Sequence, residues 1–212
     1  MTTKTSSRDR YPWVHPMALV SSLSAILIFG VSTVTAELIT PGYDVVRQTI
    51  SELAAGDAPT RILVTIAFVL TGVCHMLTAI FTPALGIPGR VALFTAGVCS
   101  QLVAAFPLPT VAGTSVEHRF SAMLFFVIMA TWPLLSMRTS REFPWIIRPW
   151  GSIASTAFIA TFCFIFLGVW ASADQSAVGI WERVANDIEG IWPAIVVITL
   201  WVGQRKRSAK NT

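Results

Sequence analysis

Six apolar stretches, most of them long enough to cross a bilayer as a helix, dominate this chain of 212 residues. They occupy residues 16–36, 62–81, 91–106, 120–137, 153–173 and 180–202. A transmembrane helix needs about 20 mainly apolar residues. Only 12% of the residues are charged, against about a quarter in an average soluble domain. The stretches predict an all-α fold: a polytopic transmembrane bundle of six spans that forms one domain, residues 16–202.

The charged residues are sorted between the gaps that separate these stretches. Eleven of the 15 Lys and Arg residues lie in the two tails and in the gaps after the second and fourth spans. Nine of the 11 Asp and Glu residues lie in or beside the other three gaps. Because Lys and Arg near short loops stay in the cytoplasm, we expect the acidic gaps outside and both tails, 1–15 and 203–212, inside. This sorting also accounts for the net charge of +4, so we expect no nucleic-acid partner.

The N-terminal segment has one alternative interpretation. A basic start, an apolar run and the small residues Val34-Thr35-Ala36 resemble a secretory signal with a cleavage site. The apolar run is longer than the usual core of such a signal, which favours an uncleaved first helix.

The longest outer gap, residues 37–61, contains a candidate amphipathic helix. Val45, Val46, Ile50 and Leu53 recur at helical spacing, which predicts a short helix that lies on the bilayer or caps the bundle. Arg47 and Ser51 would share one face of it, because they are four residues apart. Arg47, Ser51 and Glu52 are therefore candidate ligand-binding residues, although solvation of a loop helix would also account for them.

Two other outer segments carry ionisable side chains. His118 lies just before the fourth span, near the N-terminus of its helix, where the helix dipole disfavours its charged form, so it could act as a neutral base or ligand. Glu182, Arg183 and Asp187 begin the sixth span, where ionisable groups usually face the bundle or a wet cavity. Interfacial hydrogen bonding and simple solvation are the alternatives.

The remaining histidines and the cysteines indicate no cofactor. His75 should lie about 20 Å down the second span at about 1.5 Å per residue, whereas His118 lies at the outer edge. A haem held by two histidines is therefore not expected, and His75 is interpreted as a core histidine bonded to a Ser, a Thr or a carbonyl. The three cysteines have no metal-ligand spacing. We predict no metal site, with a weak possibility at His118.

Four short motifs resemble those of the bacterial membrane family catalogued as domain of unknown function 998. They are Arg47-Gln48-Thr49-Ile50-Ser51-Glu52-Leu53, Phe106-Pro107, His118, and Gly179-Ile180-Trp181-Glu182-Arg183. The resemblance implies about six spans and a bacterial plasma membrane location, and it implies no established activity. In that family an acidic residue often follows Phe-Pro, whereas this chain has Leu108-Pro109-Thr110.

Three functions fit these residues. The first is a non-enzymatic protein that binds a lipid headgroup, a small ligand or a membrane protein partner at the outer face, with Arg47 and Arg183 holding an anionic group. The second is a membrane-embedded hydrolase or transferase with His118 as base and Ser51 as nucleophile, or with His118, Glu182 and Asp187 around a metal ion. The third is a transporter of protons or small solutes that uses Asp187 and Glu189. We rank them in that order.

Overall fold

The structure is a computed structural model that describes residues 13–210. Within this range the chain forms seven α-helices, one 3-10 turn at Trp145–Ile147, and no β-strand. The helices are α1 (Pro16–Ile39), α2 (Ile50–Leu53), α3 (Arg61–Ile80), α4 (Ile87–Ala105), α5 (Val116–Leu135), α6 (Pro149–Ala171) and α7 (Val178–Lys210).

All the helices except α2 are long and apolar enough to cross a membrane. The prediction of an all-α bundle with six spans is therefore confirmed, and the chain is a multi-pass membrane protein. The third span is longer than the apolar stretch suggests, because α4 begins at Ile87 and includes Gly89 and Arg90.

The six long helices pack in a closed order around the bundle. Consecutive long helices contact each other from α3 to α7, and α1 packs against both α3 and α7. We call the end with connections 40–60, 106–115 and 172–177 the acidic end. The end with connections 81–86 and 136–148 is the basic end. All four sequence motifs lie at the acidic end or in the helix turns next to it.

Close packing of α3 on α4 positions the centre of the bundle. A Cβ atom on Gly72 would lie 2.6 Å from the carbonyl oxygen of Gly97, so the two backbones nearly touch. Ser100 and Gln101 of α4 donate hydrogen bonds to the carbonyl oxygens of Phe68 and Val69, at 2.7 and 2.8 Å. Small residues and interhelical hydrogen bonds of this kind hold membrane helices together where the hydrophobic effect cannot.

The amphipathic helix predicted within residues 37–61 exists but is much shorter than its apolar pattern suggests. Residues 44–47 form a separate turn, in which the Asp44 carboxylate accepts the N–H of Val46 at 2.9 Å. The helix begins only at Ile50, where the Glu52 carboxylate accepts the N–H of Thr49 at 3.1 Å. The expectation that Arg47 and Ser51 share a helix face is therefore wrong, because Arg47 belongs to the turn and not to α2.

Candidate functional site

Arg183 fastens the loop between α1 and α3 to the first turns of α7. Its Nε donates to the Glu37 carboxylate at 2.7 Å, and its Nη2 donates to the Tyr43 hydroxyl at 2.5 Å. Its Nη1 donates to three carbonyl oxygens at 2.8 to 3.0 Å, those of Val45, Gln48 and Gly179. The guanidinium thus joins α1, the loop and α7 in one contact.

These contacts argue against the expectation that Arg183 holds an anionic group of a ligand. Its side chain is 12% exposed, and each nitrogen of the guanidinium donates to a group of the protein. A ligand would have to displace these partners in order to bind it. Tyr43 belongs to the same cluster, and burial raises the pKa of its hydroxyl well above the usual value. The hydroxyl therefore remains protonated and donates to the carbonyl oxygen of Thr49 at 2.7 Å.

Glu182 and Gly179 complete the junction between the loop and α7. The Glu182 carboxylate accepts the N–H of Ile50 at 2.5 Å, which fixes the first residue of α2. A Cβ atom on Gly179 would collide with the carbonyl oxygen of Gln48, so only glycine permits this close approach. The first and last sequence motifs are therefore two halves of one packed contact.

Ser51, His118 and Phe106 form a chain of hydrogen bonds at the acidic end. The Nε2 atom of His118 lies 2.9 Å from the Ser51 hydroxyl, and its Nδ1 atom lies 2.9 Å from the carbonyl oxygen of Phe106. Because a carbonyl oxygen can only accept, Nδ1 carries a proton. In a neutral ring Nε2 is then an acceptor, and the Ser51 hydroxyl donates to it.

Local structure explains why these three groups meet. His118 lies in the first turn of α5, where the Ser115 side chain accepts its backbone N–H at 3.2 Å. Phe106 follows the last residue of α4 and precedes Pro107, which has no N–H to compete for nearby acceptors. Three of the four motifs thereby meet at one histidine, since Ser51 belongs to the first motif.

Two cavities adjoin this chain of hydrogen bonds. One is mainly apolar, about 270 Å³ in volume, and lies among α1, α3, α4, α5 and α7. The other, about 430 Å³, is more polar and lies between α2, the connection 106–115, α5, α6 and the start of α7. Both cavities are lined by Ser51, Ala122, Phe126 and Glu182. These four residues mark the border between an apolar and a polar compartment.

Most of the residues that the sequence singles out converge on these cavities. Five line the polar cavity: Arg47, Ser51, Glu52, His118 and Glu182. Asp187 is exposed and lines the apolar cavity instead. Arg183 lines neither cavity. The carboxylate of Glu52 is engaged by Thr49 and by the Gln48 amide, the latter at 2.9 Å.

Arg119 is a residue of the site that the sequence reasoning missed. It lines the polar cavity, and its guanidinium lies 4.8 Å from the centre of the Trp170 ring. The Arg47 side chain is 72% exposed and has an ion pair with Asp44 at 3.8 Å. Two arginine residues therefore line this cavity. The available signal was the position of Arg119 next to His118 in the sequence.

His75 and Thr71 form a polar patch on the wall of the apolar cavity. His75 is 1% exposed, and neither ring nitrogen has a hydrogen-bond partner among residues 13–210. The Thr71 hydroxyl, one helical turn away, also has no partner in this range. The expectation that His75 bonds to a Ser, a Thr or a carbonyl is therefore wrong. Its ring lies beside that of Phe125, at 6.3 Å between ring centres.

Within residues 13–210, no group of three His, Cys, Asp or Glu side chains is arranged to hold a metal ion. Both ring nitrogens of His118 are already used in the contacts with Ser51 and Phe106. The metal-dependent form of the hydrolase hypothesis therefore has no ligand set in the described part of the chain.

The fold and the cavities define a six-span helical membrane protein with a two-compartment cavity near the acidic end. The chain belongs to the family described as Protein of unknown function (DUF998), whose model matches residues 23–199. No curated protein and no solved structure matches the chain.

Proposed function

We propose that the protein binds an amphipathic lipid, with the lipid chain in the apolar cavity and the headgroup in the polar one. The observation that carries the proposal is the shared border of the two cavities at Ser51, Ala122, Phe126 and Glu182. An amphiphile has the same division, with an apolar part and a polar part joined at one point. Ligand pockets are typically apolar with a few polar groups that orient the ligand.

The lining of the apolar cavity suits the hydrocarbon chain of this lipid. Phe29, Phe68, Val103 and Phe125 contribute apolar surface from four different helices. Gly190 also lines it, about 18 Å along α7 from Val178 at about 1.5 Å per residue. A lipid chain that starts near Ser51 would reach toward the middle of a hydrocarbon core about 30 Å thick.

The polar cavity favours a headgroup that carries negative charge. Arg47 and Arg119 line it, and Arg47 is mostly exposed. Arginine binds phosphate and carboxylate groups through paired hydrogen bonds. The two acids in the same wall are committed within the protein, Glu52 to Thr49 and Gln48, and Glu182 to Ile50. We therefore expect an anionic lipid to bind more tightly than a zwitterionic one.

Binding of fluorescent lipids to the purified protein in detergent tests this proposal. The double variant Arg47→Ala, Arg119→Ala should bind an anionic phospholipid at least about tenfold more weakly, which corresponds to about 1.4 kcal/mol. Its affinity for a zwitterionic lipid with the same chains should change little. Arg61→Ala is the matched control, since Arg61 is exposed at the same end of the bundle and lines neither cavity. Equal loss in the control and the double variant would contradict the proposed headgroup site.

A further inference from the structure

The Ser51 hydroxyl has the environment of an activated nucleophile. It lies 2.9 Å from Nε2 of His118, and the opposite ring nitrogen is bound to the Phe106 carbonyl oxygen at 2.9 Å. A hydroxyl becomes nucleophilic when an adjacent base can take its proton, and that base works best when a third group orients it. Here a backbone carbonyl orients the ring and fixes the tautomer that leaves Nε2 free to accept.

Both partners are held in place by their local structure. Ser51 is the second residue of α2, whose start is fixed by the contact of Ile50 with Glu182. His118 is 4% exposed and lies in the capped first turn of α5. Positioning of reacting groups before the substrate arrives is a large part of enzymatic rate enhancement.

Ser51 also lies where the reactive bond of an acyl lipid would lie. It lines both cavities, and in an acyl ester the carbonyl carbon is the point that joins the apolar chain to the polar headgroup. A lipid bound with its chain in one cavity and its headgroup in the other would bring that carbonyl next to the Ser51 hydroxyl.

We propose that Ser51 and His118 form a catalytic pair that cleaves or transfers the acyl group of a lipid ester. This inference rests on the proposed lipid site and adds a reaction to it. The Ser51 oxygen attacks the ester carbonyl while His118 Nε2 accepts the hydroxyl proton. Collapse of the tetrahedral intermediate breaks the ester C–O bond, and the departing alcohol takes the proton from His118.

The acyl group is then an ester of Ser51, and a second acceptor releases it. Water or another alcohol attacks the Ser51 ester while His118 accepts the proton of the attacking hydroxyl. Breakage of the bond to Ser51 returns that proton from His118 to the serine oxygen. The products are the alcohol from the first step and either a fatty acid or a new ester, so no oxidant, reductant or metal ion is required.

Covalent labelling with a long-chain alkyl fluorophosphonate tests the nucleophile directly. Ser51 should displace fluoride and gain the phosphonate, which mass spectrometry of the Ser51 peptide would detect. Ser51→Ala should remove the label, and His118→Ala should slow labelling and turnover of a long-chain nitrophenyl ester by about 100-fold or more. Ser121→Ala is the matched control, because Ser121 is a buried serine in the next turn of α5 that lines neither cavity.

Melting temperatures and fluorescent-lipid binding of each variant separate the possible outcomes. The catalytic pair is supported if Ser51 is labelled in wild type and is labelled much more slowly in a folded His118→Ala variant. A wild-type protein that binds lipid but takes no label on Ser51 overturns the catalytic pair and leaves the proposed lipid site standing. Equal labelling of wild type and His118→Ala overturns the role of the histidine. If Arg61→Ala weakens lipid binding as much as the double variant Arg47→Ala, Arg119→Ala does, that result counts against the lipid site instead.

Discussion

Two arginines at the acidic end differ in the exposure of their side chains and in their contacts with the rest of the protein. Arg183 is 12% exposed and joins Glu37, Tyr43 and backbone carbonyl groups. The Arg47 side chain is 72% exposed and forms an ion pair with Asp44 at 3.8 Å. Arg183 therefore stabilises the fold, and Arg47 is available to a ligand.

Replacement of these two residues should separate stability from binding. Arg183→Ala leaves the Glu37 carboxylate, which is 16% exposed, without its ion-pair partner and removes the donor to the Tyr43 hydroxyl. We expect a loss of about 3 kcal/mol in the free energy of unfolding. Arg47→Ala should leave stability almost unchanged and weaken binding of an anionic lipid. Denaturation in detergent and lipid binding measure the two effects, and a stable Arg183→Ala protein would contradict the structural role.

The Tyr43 hydroxyl should make stability depend on pH in the alkaline range. Burial raises its pKa above the usual value of 10.0, more than Arg183 lowers it. The folded chain thus holds this proton more tightly than the unfolded chain. Its contribution to stability is complete below about pH 10 and is lost as the pH rises further.

Tyr43→Phe should be less stable at neutral pH by about 1 kcal/mol, because the hydrogen bonds to Arg183 and Thr49 are lost. The variant should also lose stability less steeply than wild type above about pH 10. Thermal unfolding at a series of pH values measures both effects. Parallel curves for the two proteins would show that Tyr43 does not titrate in this way.

At the scale of single residues, the sequence predicts location better than partnership. Sorting of charge and apolar residues brings Ser51 and His118 to the same end of the bundle, but the two residues are 67 positions apart. Whether they touch depends on the rotation of α5 and on where α2 begins. The apolar pattern of the sequence specifies neither the rotation of α5 about its axis nor the first residue of α2. The hydrogen bonds of Arg183 depend on backbone carbonyl oxygens of an irregular loop. Every residue type has a carbonyl oxygen, so the sequence does not indicate these partners.

Among the elements, α2 and its preceding turn depend on side chains rather than on apolar periodicity. The spacing of Val45, Val46, Ile50 and Leu53 suggests one continuous helix. Val45 and Val46 are exposed, whereas Ile50 and Leu53 are 2% and 1% exposed. Asp44 and Glu52 bind backbone N–H groups and divide the segment into a turn and a helix. Capping by polar side chains can override an apolar period when the helix is this short.

The contact between α3 and α4 gives a test at the same scale. Gly72→Leu would place side-chain atoms against the carbonyl oxygen of Gly97, so the helices must separate. We expect a loss of about 2 kcal/mol or more in the free energy of unfolding. Gly168→Leu on α6 is the matched control, because a Cβ atom there meets no atom within 4 Å. Equal stability of the two variants would contradict the close crossing.

For the molecule as a whole, the order of apolar stretches along the chain is sufficient to predict the number of spans, and the structure adds the space between them. Six apolar helices follow from hydropathy, since a bilayer leaves few alternatives for an apolar chain. The two cavities do not follow from it, because the same apolar residues would also fit a solid bundle. Glycines at the cavity wall, such as Gly30 and Gly190, are where side-chain volume is missing.

Filling the apolar cavity tests whether it holds a lipid chain. Gly190 lines this cavity, and a Cβ atom on it meets nothing within 4 Å, so leucine would occupy the space without a backbone clash. Mass spectrometry of lipid extracted from equal amounts of purified wild type, Gly190→Leu and Gly168→Leu gives the comparison. We predict a bound lipid in wild type and Gly168→Leu and its loss from a folded Gly190→Leu protein. Lipid retained equally by all three proteins would contradict a lipid chain bound in the apolar cavity.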